Sequence, residues 1–294
     1  MARSSRYGVT THKPVRSILL FHNPAKEKEY SAAEAVRQAL VKLGIKVVMA
    51  SGKMSARAAG HFDLALAVGG DGTMLAAARV AAPLGLALLG VKSGFLGFLT
   101  AVESDEFLKK GAVALLDGRF EVEPRMLLEV TVKRSGRTVM GPTLALNDCV
   151  IRAGREARAI LVKAHWGTSY LADYFGDGLI VATPTGSTAY ALAAQGPIVE
   201  PSLGALVLTP ICPHTLAQRP LVLPTSRAVA LTLGRRHETD TPQVFVSLDG
   251  QITAALKVHD QVHIRRYPKP LHLYGDPRRP YFEVLRQKLR WGGA

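Results

Sequence analysis

Hydrophobic positions in the first third of the chain keep switching between two periods. Ser17 to Phe21, Lys46 to Ala50, Leu64 to Val68 and Leu86 to Val91 are short apolar runs that read as buried strands. Between them, Ser31 to Leu43 carries Ala32, Ala35, Val36, Ala39, Leu40 and Leu43 at helical spacing, and Gly44 stops it. Met74 to Val80 is a second helix-favouring stretch. This alternation is the pattern of parallel βαβ units. A last helix starts at Asp105, with Phe107, Leu108, Leu115 and Leu116 on one side and Asp117-Gly118 as its stop.

From about Glu121 the pattern changes. Leu128-Glu129-Val130-Thr131-Val132-Lys133 alternates strictly, as a half-buried strand does, and Ser135-Gly136 turns the chain. Ala159 to Ala164, Leu206 to Thr209, Ala228 to Leu233, Val244 to Leu248 and Gln261 to Arg266 repeat the theme, and Tyr281 to Trp291 closes the chain as a helix with Phe282, Leu285 and Leu289 on one face. The predicted architecture is an α/β N-terminal lobe, residues 1–120, and a mostly β C-terminal lobe, residues 121–269.

Composition narrows the class. With 48% hydrophobic residues, 294 positions and no apolar run near the ~20 residues of a membrane span, the chain reads as globular and cytoplasmic, without a membrane partner. Its basic N-terminus lacks the apolar stretch of a secretory signal. Cys149 and Cys212 stand apart from any C-x-x-C pair and read as buried thiols. The net charge of +14 attracts polyanions, yet the basic residues are scattered and no aromatic-interleaved stripe accompanies them, so no nucleic-acid partner is expected.

Candidate chemistry centres on Gly69-Gly70-Asp71-Gly72-Thr73, which lies between the Leu64 strand and the Met74 helix. Glycines let main-chain N–H groups approach a phosphate, and the helix dipole adds attraction. Asp71 is out of place in an anion cradle unless it holds a metal or takes a proton, which points to chemistry on phosphates. A second segment, Pro184-Thr185-Gly186-Ser187-Thr188-Ala189-Tyr190, concentrates hydroxyls before the helix-compatible Ala189 to Ala194. Ser187 is placed to cap that helix, and the turn offers N–H and hydroxyl donors, with Tyr190 as a flat surface bearing a polar tip. His214 near Cys212 has no further ligand close in sequence and reads as a loop histidine; no metal-ligand set is predicted. There is no Walker loop, no G-x-G-x-x-G opening a helix and no H-E-x-x-H.

Taken together with Asp177-Gly178-Leu179-Ile180, Gly94 to Leu99, Asn147-Asp148, Gly196-Pro197-Ile198, Pro210 to His214, Asp249-Gly250-Gln251 and Tyr281 to Leu285, these motifs resemble the NAD kinase family, which phosphorylates the adenosine ribose 2′-hydroxyl of NAD to give NADP. The resemblance implies that Asp71 is the catalytic base and that Gly69, Gly70, Thr73, Thr185, Gly186 and Ser187 form phosphate-binding loops. It assigns NAD or nucleotide contacts to Gly72, Phe98, Asn147, Asp148, Arg158, Asp177, Thr188, Ala189, Tyr190, Ala193 and Gln251. Asp148 stands where the family has glutamate, and Phe175 where many relatives carry arginine. The resemblance further implies ATP as donor, with polyphosphate also open, Mg²⁺ or another divalent metal, a homodimer or homotetramer, residues 270–294 returning to the first lobe, and a site between lobes. The Gly-Gly-Asp-Gly-Thr element also occurs in diacylglycerol-kinase-like and phosphofructokinase-like proteins; the Pro184 to Tyr190 segment argues against that reading. A binding regulator that kept the pocket without catalysis is disfavoured by Asp71.

Overall fold

The structure is a computed structural model that describes residues 15–51, 61–93, 97–154, 159–237 and 243–291. Chain contacts divide it into two compact units, one made of residues 1–124 with 271–294, the other of 125–270.

The first unit is built on a sheet whose leading strands are β1 (Ser17–His22), β2 (Lys46–Ser51), β3 (Leu64–Gly69) and β4 (Ala87–Lys92). They lie in the order β2-β1-β3-β4, all parallel, and the sheet continues through Leu271–Gly275 to Glu121–Arg125. Burial on both faces explains why β1, β3 and β4 are so continuously apolar, while β2, at the sheet edge, is largely half-buried. Helix α1 (Glu27–Lys42) connects β1 to β2, and α2 (Asp71–Leu84) connects β3 to β4. α1 ends as its sequence dictates. Gly44, at φ +80°, lets its own N–H reach the Val41 carbonyl while the Ile45 N–H reaches Leu40.

Two helical expectations need correction. The helix near Asp105 runs from Ser104 to Leu116 with a π turn at Phe107–Gly111. The extra residue in that turn rotates the helix, so Phe107, Ala112 and Leu115 are buried while Leu108 and Leu116 face outward. The closing helix stops at Leu289, and only Leu285 of its three apolar positions is buried; Phe282 and Leu289 are exposed.

In the second unit two antiparallel six-stranded sheets pack face to face. Val130, Val132, Val162, Leu231, Val262 and Ile264 of one sheet meet Cys149, Ile151, Leu179, Val181, Leu208 and Val246 of the other. Alternation puts Val150, Ile180, Ala182 and Val207 on the opposite face of the second sheet, where Ala191 and Val199 cover them. That cover fixes the 185–199 segment against the sheet. The predicted Ser135-Gly136 turn has both residues at positive φ, as a tight hairpin requires. Cys149 is buried as expected, but Cys212 is exposed, because its turn at φ +43° lies outside the sandwich core. Among the described residues no helix is long and apolar enough to cross a membrane.

Candidate functional site

Parallel sheets present ligands to the C-terminal ends of their strands. Here β3 ends at Gly69, and Gly70 begins α2 as a residue with no side chain to cap it. The Thr73 and Met74 N–H groups turn back to the Gly70 carbonyl at 2.9 and 3.1 Å. Gly69 sits at φ +153°, and a Cβ there would lie 2.6 Å from the Glu29 carboxylate. Gly69 is therefore required by close approach. Thr73 donates its hydroxyl to Glu29 Oε2 at 3.1 Å, and Lys26 binds the other carboxylate oxygen at 3.0 Å. A Cβ on Gly70 would stand 3.1 Å from the Lys92 ammonium, which puts a cation at the cradle by a route other than a Walker lysine.

Asp71 is half-buried on the first turn of α2. Its carboxylate accepts the Phe98 N–H at 3.3 Å and the Leu99 N–H at 3.4 Å. Both contacts are long, and they hold the acid without burying it. A Cβ on Gly97 would lie 2.7 Å from Asp71 Cγ, so this glycine too is set by the acid beside it. Gly94, Phe95 and Leu96 lie outside the described residues, as does Arg158.

The second unit gathers Asn147, Asp148, Thr183, Gly186 and Asp249. Asp249 accepts the N–H groups of Leu146, Asn147 and Asp148 at 3.1, 2.8 and 3.3 Å. Thr183, fully buried, donates its hydroxyl to the Leu146 carbonyl at 2.6 Å and its N–H to the Asn147 carbonyl at 2.8 Å. Gly186 donates to the Thr183 hydroxyl at 3.0 Å, and a Cβ on Gly186 would fall 2.6 Å from Asn147 Cα. The Asn147-Asp148 pair and the Thr185–Thr188 turn are thus one construction. Asp148 is only 4% exposed. Burial, and then the negative Asp249 nearby, push its carboxyl up to about 7. Burial likewise drives the Cys149 thiol far above its ordinary value, which keeps it inert.

The expected hydroxyl donors of the second motif are turned inward. Ser187 is no helix cap: its hydroxyl donates to the Pro184 carbonyl at 2.6 Å and accepts the Val199 N–H at 3.0 Å. Thr188 donates to the Thr185 carbonyl at 3.1 Å. The segment forms a 3-10 turn, Thr185–Thr188, followed by one short helix, Tyr190–Ala193, whose N-cap is Ala189. Short turns leave hydroxyls close to their own carbonyls, with which they bond locally. The Thr185 hydroxyl is the exception, buried and without a hydrogen-bond partner among the described residues.

Comparison with known proteins decides the family. The ATP-NAD kinase N-terminal domain model matches residues 51–120 and the ATP-NAD kinase C-terminal domain model residues 146–275. The NAD kinase of Geobacter sulfurreducens is 45% identical over 78% of this chain and 79% of its own length, and that of Aeromonas salmonicida 38% identical over 95% and 98%. The chain belongs to the NAD kinase family. It is accordingly an enzyme, a kinase acting on NAD. Crystal structures agree on the fold: yeast NADH kinase complexed with NADH superposes with a TM-score of 0.85 at 22% identity, covering 96% of this chain and 89% of that one. An Archaeoglobus fulgidus NAD kinase in complex with ATP gives 0.73 at 25% identity, covering 94% and 98%.

Within this NAD kinase fold, the remaining predicted positions fall on exposed or half-buried surface of the second unit. Tyr190, Ala193, Asp177 and Gln251 are exposed, and Thr188 and Ala189 half-buried. Phe175 packs its ring edge-on to His214 at 4.9 Å, and the Arg236 guanidinium lies over the same ring at 5.0 Å. A cation is therefore supplied at Phe175 from another strand end. Glu29 and Lys92 carry no signal in the sequence; Asp249 stands in the Asp249-Gly250 turn and Thr183 beside the Pro184 motif, but sequence reasoning assigns neither a role.

Proposed function

We propose that this NAD kinase transfers the γ-phosphoryl group of ATP to the adenosine ribose 2′-hydroxyl of NAD, with Asp71 as the base. The carrying observation is the seat of Asp71: a carboxylate at the mouth of a glycine-built helix start, half-buried and, among the described residues, held by two long backbone contacts. Such an acid can accept a proton from an approaching hydroxyl. The donor phosphates are assigned to Gly69, Gly70, Gly72 and Thr73, with Lys92 and the α2 dipole offsetting their charge. NAD recognition is assigned to Asn147, Asp148, Asp177, Thr188, Ala189, Tyr190, Ala193 and Gln251, with Phe98 and Arg158 as further contacts and Thr185, Gly186 and Ser187 as the scaffold that holds Asn147 in place.

Among the described residues no three His, Cys, Asp or Glu side chains converge to cage a metal. Mg²⁺ would then be held mainly by the donor's own phosphates, with Asp71 and Glu29 as the carboxylates at the cradle. Bound there, the ion would neutralise charge on the donor phosphates. General-base help supplies only about 10² to 10⁴-fold, so alignment and electrostatics carry the rest. The same reading makes the enzyme a cytoplasmic homodimer or homotetramer, a matter for light scattering on purified protein. Incubation with NAD, Mg²⁺ and either ATP or polyphosphate, followed by NADP detection, tests the reaction. Absence of NADP with every donor refutes it.

A further inference from the structure

The segment Leu146 to Asp148 has every main-chain polar group engaged. The three N–H groups go to the Asp249 carboxylate. The Leu146 and Asn147 carbonyls take the Thr183 hydroxyl and N–H, and the Asp148 carbonyl takes the Asp249 N–H at 3.0 Å. Three successive amides converge on one carboxylate, as in the anion-binding concavities that successive backbone N–H groups make.

We propose that Asp249 is a positioning residue for dinucleotide recognition, curling the Leu146–Asp148 backbone so that Asn147 and Asp148 present their side chains in one fixed direction. This rests on the reading of Asn147 and Asp148 as NAD contacts. Asp249 reaches them from 102 residues along the chain at the tip of the hairpin Val244–Leu248 and Ile252–Leu256. It holds φ +51°, with Gly250 at +65°, a left-handed pair that aspartate tolerates better than most side chains. Gln251 follows in the same turn, its N–H on the Leu248 carbonyl at 2.9 Å. One acid therefore ties together three candidate contacts. Thr183 is the opposing jaw: it holds the carbonyl side of the segment and, through Gly186, the second motif.

A purely structural role would lower stability and leave substrate constants alone, which the test separates. Asp249→Asn keeps the shape but puts a donor where an acceptor stood. It should speed amide hydrogen exchange at residues 146–148 by about tenfold or more and raise the KM for NAD by about tenfold, with kcat and the KM for ATP within about twofold. Thr183→Val should raise the NAD KM in the same sense, and Thr183→Ser, which keeps the hydroxyl, should restore it. An unchanged NAD KM in Asp249→Asn, or equal rises in the ATP and NAD constants, overturns the proposal. If Asp249→Asn does not fold, the Thr183 pair decides alone, and a Thr183→Val enzyme with normal NAD KM overturns it. Wild-type protein that makes no NADP refutes the kinase chemistry proposed above, whereas active wild type with indifferent variants refutes only the role given to Asp249.

Discussion

Asp71 and Asp148 are both acids in candidate sites, and the molecule treats them in opposite ways. Asp71 stands at a helix start among glycines, half in water, its carboxylate accepting, among the described residues, two amides at hydrogen-bond limits. Asp148 is sealed into a sheet beside a second acid, its backbone gripped on both sides. The first arrangement leaves a carboxylate open to an approaching substrate hydroxyl; the second sacrifices solvation to hold a direction. Glycine serves both, but in one unit it makes room for a carboxylate, and in the other for a backbone.

The contrast breaks most sharply at the acid itself. Asp71→Asn should lower turnover by about 10² to 10⁴-fold with an unchanged melting curve, measured by NADP formation and thermal denaturation. Next come the glycines. Gly186→Ala drives a methyl into Asn147 backbone, which cannot swing away, so a loss of about 2 to 3 kcal/mol in denaturant unfolding is expected. Gly97→Ala meets the Asp71 side chain, which can rotate, so it should cost activity while stability changes by less than about 1 kcal/mol. Equal stability losses in the two variants would erase the distinction. Lys92→Met should raise the KM for ATP by about tenfold and leave the NAD constant alone.

A last effect concerns pH. Asp148 in the folded protein holds its proton up to about 7, above its ordinary value, because of burial and then Asp249. The folded state therefore binds more protons than the unfolded chain in that window, and stability falls as pH rises through it. The slope is at most about 1.4 kcal/mol per pH unit, flattening above about 7. Asp148→Asn should remove that component, seen as a smaller difference between denaturation at about pH 5 and about pH 8.

Much of this was written locally. Gly44, the strict alternation from Leu128 to Lys133 and the strand at Val244–Leu248 act through neighbours a few residues away, and the structure follows them. The glycine turn before α2 was readable for the same reason. What stayed hidden depends on chain distance or on small insertions. Thr73 meets Glu29 across 44 residues, and Asp249 meets Asn147 across 102; pairing of distant strands, invisible to periodicity, brings them together. The π turn at Phe107–Gly111 shifts a helix face by one residue, enough to expose Leu108 and Leu116. Ser187 carries the composition of a cap, yet a 3-10 turn in place of a full helix start sends its hydroxyl to its own backbone.

The strand Leu271–Gly275 lies between β4 and Glu121–Arg125, inside a sheet otherwise completed by residue 125. A ribosome that has made the first 124 residues has therefore produced a sheet whose β4 flank is covered only at Val91–Lys92, by Val102–Glu103, and is open at Leu88–Leu89, the sort of edge that recruits other chains. Residues 125–270, by contrast, form an unbroken stretch able to consolidate as soon as it emerges. Synthesis order and completion order are thus reversed: the half of the enzyme translated first is finished last, and a chain cut short at residue 270 should be recovered as aggregate.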